Sequence, residues 1–280
     1  MFKKTLMAAA VVAAFTTAGG AYAADAAPAE AKSPHTLTGN AGIFSQYIFR
    51  GLKQTNGKPA FQGGFDYAHE SGFYAGTWMS NISWLSDSPT ATGYASGSLE
   101  MDFYGGYKGT ISGDLGFDIG LLQYYYPGTK NTTAVPFPAG IAKADTLELY
   151  GALTWKWLSA KYSYSLNKET FGVKDSNGSS YLDLSANFPV TDALNLVAHY
   201  GIQKYEGSGG ACGVGVSNDT CASYKDWKLG ATYTLPQSFT IGGYWTGTDM
   251  TAAQKSFYTN GASSKMVGKD TFTVFVAKTF

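Results

Sequence analysis

The sequence predicts an all-β protein, a transmembrane antiparallel up-and-down β-barrel of about 12 strands, with 10 or 14 as alternative counts. Three observations predict this fold. They are an amino-terminal secretory signal, an alternation of apolar and polar residues along the chain, and a regular succession of long and short connections. A membrane barrel needs the alternation because each strand presents one face to lipid and the other to the lumen.

The first residues have the three parts of a secretory signal. Lys3 and Lys4 precede an apolar segment at 6–15, and Ala21-Tyr22-Ala23 forms a small-x-small cleavage site. An apolar run of about ten residues is too short to cross a bilayer as a helix, which needs roughly 20. The predicted domains are a cleaved signal peptide at 1–23, a flexible periplasmic leader at 24–36, and an outer-membrane barrel at 37–280.

The composition favours a membrane barrel over a soluble domain. Charged residues make up 14% of the chain, against about 25% in soluble proteins, whereas aromatic residues reach 15%. Barrels place aromatic residues in girdles at the lipid headgroups. Candidates for the outer girdle include Phe49, Trp84 and Trp245. Because the net charge is near zero, no basic surface indicates a nucleic-acid partner.

Period-two alternation defines the strands. In 147–157, for example, Leu149 and Leu153 share one face while Glu148 lies on the other. The predicted strands are 37–50, 59–69, 73–84, 99–108, 114–126, 145–157, 160–167, 181–188, 194–205, 225–235, 239–246 and 270–280. The connections between them alternate between long and short, which predicts long extracellular loops, short periplasmic turns and periplasmic termini.

The final predicted strand has a feature of its own. Phe272, Val274, Val276 and Phe280 alternate with polar residues, and this pattern resembles the C-terminal sorting signal that the barrel-insertion machinery recognises. Lys278 departs from that signal, since its position is usually apolar or aromatic. The barrel-insertion machinery is therefore an expected partner, together with outer-membrane lipid and lipopolysaccharide.

Arg50 is the only arginine of the chain and is the first candidate channel-lining residue. On the alternation of 37–50 it points into the lumen, where it could pair with Asp66, Glu100 or Asp102. Two interpretations follow from such a pair. It either stiffens the wall or plugs the lumen, or it provides the charged contact of a channel constriction.

The remaining inward charges have both signs, so they define neither a cation nor an anion channel. A twelve-stranded barrel also lies between small filled barrels and the wide channels of porins with about 16 strands. The further candidates for the channel lining are Asp118, Glu148, Lys156, Lys161, Asp183, His199 and Lys228.

Other chemistry is less supported by the residues. Cys212 and Cys221 lie in one predicted loop, and an oxidising periplasm favours a disulfide between them, with free thiols as the alternative. No metal site or cofactor is expected. The chain has three histidines, and the sequence places no Asp–His cluster at the extracellular rim, so an enzyme is not favoured.

Several short segments resemble a known family. These are Tyr47-Ile48-Phe49-Arg50-Gly51, Lys58-Pro59-Ala60, Phe65-Asp66-Tyr67, Gly72-Phe73-Tyr74-Ala75-Gly76 and Asp102-Phe103-Tyr104-Gly105-Gly106-Tyr107. They are similar to the TorF-type porin family of proteobacterial outer-membrane barrels. The resemblance implies an outer-membrane barrel with a pore role.

The predicted function is passive diffusion of small polar solutes through a narrow lumen. The main alternative is a non-conducting barrel that is structural or interacts through its surface loops. An outer-membrane enzyme is the third alternative.

Overall fold

Twelve antiparallel strands close into one barrel in the computed structural model, which describes residues 33–260 and 263–280. The strands are β1 His35–Phe44, β2 Ala60–His69, β3 Phe73–Asn81, β4 Leu99–Ser112, β5 Leu115–Tyr125, β6 Thr146–Trp155, β7 Leu158–Ser165, β8 Ser180–Pro189, β9 Leu194–Lys204, β10 Tyr224–Leu235, β11 Phe239–Asp249 and β12 Thr271–Thr279. The predicted fold class and strand count are confirmed. The predicted signal peptide and most of the leader lie outside the described residues.

Each strand pairs with its neighbours in the chain, and β1 closes the barrel by pairing with β12. In this closing pair Asn40 lies opposite Thr279 and Phe44 opposite Phe275. The backbone N–H of Phe280 extends the pairing by donating to the carbonyl of Gly39 at 2.8 Å. The closed ladder satisfies the backbone groups of both edge strands, as a bilayer requires.

The connections alternate as predicted. The short turns lie together at one end of the barrel, which we call the short-turn end. They are residues 70–72, 113–114, 156–157, 190–193 and 236–238. The long loops lie at the other end, the long-loop end, at 45–59, 82–98, 126–145, 166–179, 205–223 and 250–270. The described residues of these loops contain four short helices, α1 Trp84–Asp87, α2 Pro89–Thr92, α3 Asp219–Ala222 and α4 Ala252–Phe257. Within the described residues, no helix is both long enough and apolar enough to cross a membrane.

The outer surface of the barrel is apolar. Leu121 and Leu149, which pair at mid-height, are 46% and 41% exposed, although buried leucines are the rule in soluble domains. Aromatic rings pack together at the short-turn end, where Phe73 lies 5.0 Å from Tyr107 between ring centroids. An apolar band bordered by aromatic side chains is the surface that lipid contacts on a membrane barrel.

Several strand boundaries differ from the sequence prediction, and three of the differences change where side chains lie. The strand predicted at 37–50 ends at Phe44, and the strand predicted at 73–84 ends at Asn81. Phe49 and Trp84 therefore do not belong to the outer girdle. They pack against the buried aromatic cluster inside the barrel instead. The strand predicted at 145–157 ends at Trp155, which leaves Lys156 in a turn.

Candidate functional site

The loop between β1 and β2, residues 45–59, folds into the barrel and is called here the inner loop. Ile48–Phe49 pairs with Leu52–Lys53 in a small ribbon whose tip is Arg50 and Gly51. Both tip residues have positive φ, 46° and 78°. A Cβ on Gly51 would lie 2.6 Å from Cβ of Asp226 on β10. The tip therefore contacts the wall at β10, three strands from β1 around the barrel.

Arg50 is held at the tip by partners on the facing strands. Its Nη2 donates to Oε2 and Oε1 of Glu148 on β6 at 2.8 and 3.0 Å, and its Nη1 donates to Oε1 of Gln203 on β9 at 2.8 Å. The guanidinium carbon lies 4.1 Å from the ring centroid of Tyr181 and 4.9 Å from that of Phe49. The carboxylate and the ring faces together offset the cost of burying the guanidinium charge, since the Arg50 side chain is only 7% exposed.

The predicted partners of Arg50 are therefore wrong. Asp66, Glu100 and Asp102 were the expected partners because the alternation turns their side chains into the lumen, as it does for Arg50. Because the chain leaves β1 at Phe44, the guanidinium reaches across to Glu148 on β6 instead.

A second contact attaches the base of the inner loop. The hydroxyl of Tyr47 donates to Oε1 of Glu100 on β4 at 2.8 Å, and its ring meets the edge of Trp78 at 5.3 Å between centroids. On the other side, Nε2 of Gln46 donates to Oγ1 of Thr271 on β12 at 2.7 Å. The loop is thus tied to several points around the wall rather than extending into solvent.

A histidine with two carboxylates forms a second group on the wall. Nδ1 of His199 lies 3.1 Å from Oδ1 of Asp183, and its Nε2 lies 3.0 Å from Oδ1 of Asp226. The hydroxyl of Tyr181 donates to the other oxygen of Asp226 at 2.8 Å. Because a carboxylate only accepts, His199 satisfies both partners when both of its nitrogens carry protons.

A third group of polar side chains lies nearer the short-turn end. The hydroxyl of Tyr74 donates to Asp118 at 2.6 Å, and the hydroxyl of Tyr104 donates to Asp66 at 2.5 Å. Nζ of Lys161 lies 3.9 Å from the ring centroid of Tyr150. Tyrosine, carboxylate and ammonium groups therefore line the lumen below the inner loop.

The structure places ten of the eleven candidate channel-lining residues inside the barrel. These are Arg50, Asp66, Glu100, Asp102, Asp118, Glu148, Lys161, Asp183, His199 and Lys228. Lys156 is the exception. It occupies the turn after β6 with a φ of 54° and is exposed, with its Nζ 4.9 Å from the ring centroid of Trp155. Its prediction as a lining residue is wrong because the alternation was extended past the end of the strand.

Sequence reasoning missed Asp226, although its signal was present. Asp226 precedes Lys228 by two residues on β10, so the same alternation places both side chains in the lumen. Tyr47 and Gln203 were also missed as functional candidates. Their role depends on the inner loop, which the alternation did not reveal.

The other predicted residues have the following positions. Cys212 and Cys221 are joined by a disulfide in the loop at 205–223. Phe272, Val274, Val276 and Phe280 all point outward from β12 and its end. Their role as a sorting signal stays a prediction.

An aromatic cavity of about 220 Å³ lies among the long loops, next to the inner loop. Its walls include Trp84, Tyr94, Phe171, Tyr205 and Tyr258. Burial raises the pKa of Tyr94 to about 12, so its phenol stays neutral at physiological pH. The cavity gives the long-loop end of the barrel a largely uncharged lining.

An apolar exterior and a polar, loop-narrowed interior define the fold of an outer-membrane porin. The chain belongs to the bacterial family Gcw_chp, described as proteins of unknown function, whose family model matches residues 28–280. Among curated proteins, none matches the chain.

The chain is similar to solved porin structures at low sequence identity, and the likeness of fold rests on the first of them. The KdgM porin is 6% identical with a TM-score of 0.50, over 87% of this chain and 99% of the porin. The NanC porin is 9% identical with a TM-score of 0.49, over 87% and 99%. OmpF of Salmonella typhi, in a complex with daunomycin, is 12% identical with a TM-score of 0.43, over 88% and 97%.

Proposed function

We propose that this protein is an outer-membrane channel through which small polar solutes diffuse passively. One observation carries the proposal. Buried polar and charged side chains line the interior of the barrel, from Glu100 near the long-loop end to Asp118 nearer the short-turn end. Buried charges are costly unless they are paired or hydrogen-bonded, so an interior that carries them is suited to polar contacts. A polar path also agrees with the porin fold.

The inner loop sets the narrowest part of this path. Arg50 and Glu148 meet inside the lumen, so a solute would pass beside a guanidinium and a carboxylate in contact. Charged groups at a constriction select solutes by charge and size. Only small solutes would pass while the inner loop keeps this position.

A second function has support from the same contacts. Arg50 is bonded to Glu148 and Gln203, and Tyr47 to Glu100, so the inner loop is fastened on several sides. A loop held this way could close the lumen completely. The protein would then be a non-conducting barrel that acts through its outer surface or its long loops.

Planar-bilayer conductance separates the two functions. Refolded wild-type protein, with its fold checked by heat-modifiable gel mobility, is compared with a variant whose segment 48–53 is a glycine-serine linker of equal length. A channel gives discrete steps in the wild type and larger steps in the variant. Conductance steps in the variant alone would show that the inner loop closes the wild-type barrel. An absence of conductance steps in both proteins would refute the channel.

Finer assignments belong to the same proposal. They are membership of the TorF-type porins, export through the periplasm, contact with lipopolysaccharide and use of the barrel-insertion machinery. The porin fold supports the location of the protein in the outer membrane. It also supports a non-enzymatic role.

A further inference from the structure

Glu100 and Asp102 form a pair of carboxyl groups buried inside the barrel. They are two residues apart on β4, so both side chains face the lumen with their Cα atoms roughly 7 Å apart. Both residues are 0% exposed. We call them the acidic pair.

Most oxygens of the acidic pair have no partner. Oε1 of Glu100 accepts from the hydroxyl of Tyr47 at 2.8 Å. Across residues 33–260 and 263–280, Oε2 of Glu100 and both oxygens of Asp102 lack a hydrogen-bond partner, although the phenol of Tyr126 also lies beside the Glu100 carboxyl. An unpaired buried carboxylate costs several kcal/mol or more, so such a group normally has a partner of opposite charge.

The protein's own cations do not supply that partner. Arg50 bonds to Glu148, and no salt bridge in the described part of the chain includes Glu100 or Asp102. Three buried carboxyl groups, counting Glu148, therefore have one guanidinium among them. The acidic pair is left with two uncompensated charges if both groups are ionised.

The surroundings of the acidic pair favour a cation further. In the strand register Asp102 lies between Trp78 on β3 and Tyr124 on β5. Tyr47 and Tyr126 belong to the same buried aromatic cluster. Aromatic faces carry negative potential and attract cations, more strongly where water is excluded.

We propose that Glu100 and Asp102 bind a monovalent cation, either an alkali ion or an ammonium group, beneath the base of the inner loop. A divalent metal fits less well. Ca²⁺ takes six to eight oxygen ligands, and no cluster of three or more metal-binding side chains is found in the described residues. The cation would fasten Tyr47 to β4 through Glu100 and so stabilise the inner loop.

Crystals soaked with Tl⁺, a K⁺ substitute with strong anomalous scattering, provide the direct test on wild-type protein. The expected result is an anomalous peak within bonding distance of carboxylate oxygens of both Glu100 and Asp102. A map with no peak there would overturn the proposal. This readout does not depend on conduction, so it can succeed or fail independently of the channel function.

Thermal unfolding provides the second test and identifies the ion. The midpoint is measured in K⁺, in ammonium and in the bulky cation N-methylglucamine at equal ionic strength. K⁺ or ammonium should raise it in the wild type, and D102N should weaken that ion's apparent affinity by about tenfold or more. The control is D66N, which alters a lumen carboxyl group that Tyr104 already satisfies.

The outcomes separate the candidates. A rise with K⁺ identifies an alkali ion, and a rise with ammonium alone identifies an amine. Equal midpoints in all three salts, with D102N more stable than the wild type, would show that the pair holds a proton instead. That result would refute the cation site.

Discussion

The guanidinium of Arg50 donates to both carboxylate oxygens of Glu148, and this contact links the tip of the inner loop to β6 across the lumen. The two residues are 98 positions apart in the chain. The pair therefore bridges the barrel wall through its interior, not through neighbouring strands.

Replacing one member of this ion pair should destabilise the barrel more, per residue replaced, than replacing both members together. Arg50→Ala or Glu148→Ala leaves a buried charge unpaired, which costs about 3–5 kcal/mol. The double variant should lose less free energy of unfolding than the sum of the single losses. Urea unfolding from liposomes measures all three, and strict additivity would show that the two charges do not interact.

Gly51 should be less tolerant of substitution than Gly57. Both glycines have φ near 80°, so alanine pays the same backbone cost of about 1–2 kcal/mol at each. A Cβ at Gly51 meets Asp226 and Thr248, whereas the atom nearest to a Cβ at Gly57 is 3.9 Å away. G51A should therefore lose about 1–3 kcal/mol more unfolding free energy than G57A. Equal losses would mean that the tip does not contact the wall.

The apolar band on the outer surface can be tested by placing one charged side chain on it. Leu121 lies at the middle of β5 and is 46% exposed, so Leu121→Arg should cost about 2–4 kcal/mol in a bilayer. Ile111 is 56% exposed close to the end of β4, and Ile111→Arg should cost about 0–1 kcal/mol. Unfolding from liposomes compares them. Similar costs would place Leu121 outside the hydrocarbon region.

The fold followed from the sequence more completely than the site did. Alternation needs only local information, because the pleat sends Glu148 inward and Leu149 outward whatever the rest of the chain does. The alternation of connection lengths is equally local. These two patterns therefore located all twelve strands.

The inner loop depends on tertiary contacts that no local pattern contains. Residues 45–49 continue the apolar alternation of β1, so a longer strand was the natural prediction. What turns the chain inward is a set of distant partners, above all Glu148 and Gln203. Two apolar side chains, Ile48 and Phe49, were the available hint, since a loop that carries them gains by burying them.

Phe280 provides a test of the sorting signal. Its side chain is 70% exposed while its backbone pairs with Gly39, so Phe280→Ala removes the ring and keeps the pairing. The yield of folded barrel in bacterial outer membranes should fall, whereas refolding of the purified variant into detergent should match the wild type. An unchanged cellular yield would argue against a signal. A defect in both assays would indicate a structural role.

The disulfide should stabilise its loop rather than the barrel. Cys212 and Cys221 are both in the 205–223 loop, outside the strands. Closing so short a loop stabilises it by roughly 2–3 kcal/mol in the chain-entropy model. The C212S/C221S variant should be cut faster in this loop by protease, with the unfolding midpoint of the barrel unchanged. A lower midpoint would show that the loop contributes to global stability.

The pairing of β1 with β12 also has a kinetic consequence. Asn40 and Thr279 are opposite each other, so the contact that closes the barrel joins residues separated by most of the chain. Ordering so distant a contact is slow, and until it forms β1 and β12 each expose an unpaired edge. The barrel therefore cannot complete its hydrogen bonding while the chain is still being made. Until the last strand is available, the unclosed sheet is open to pairing with other chains.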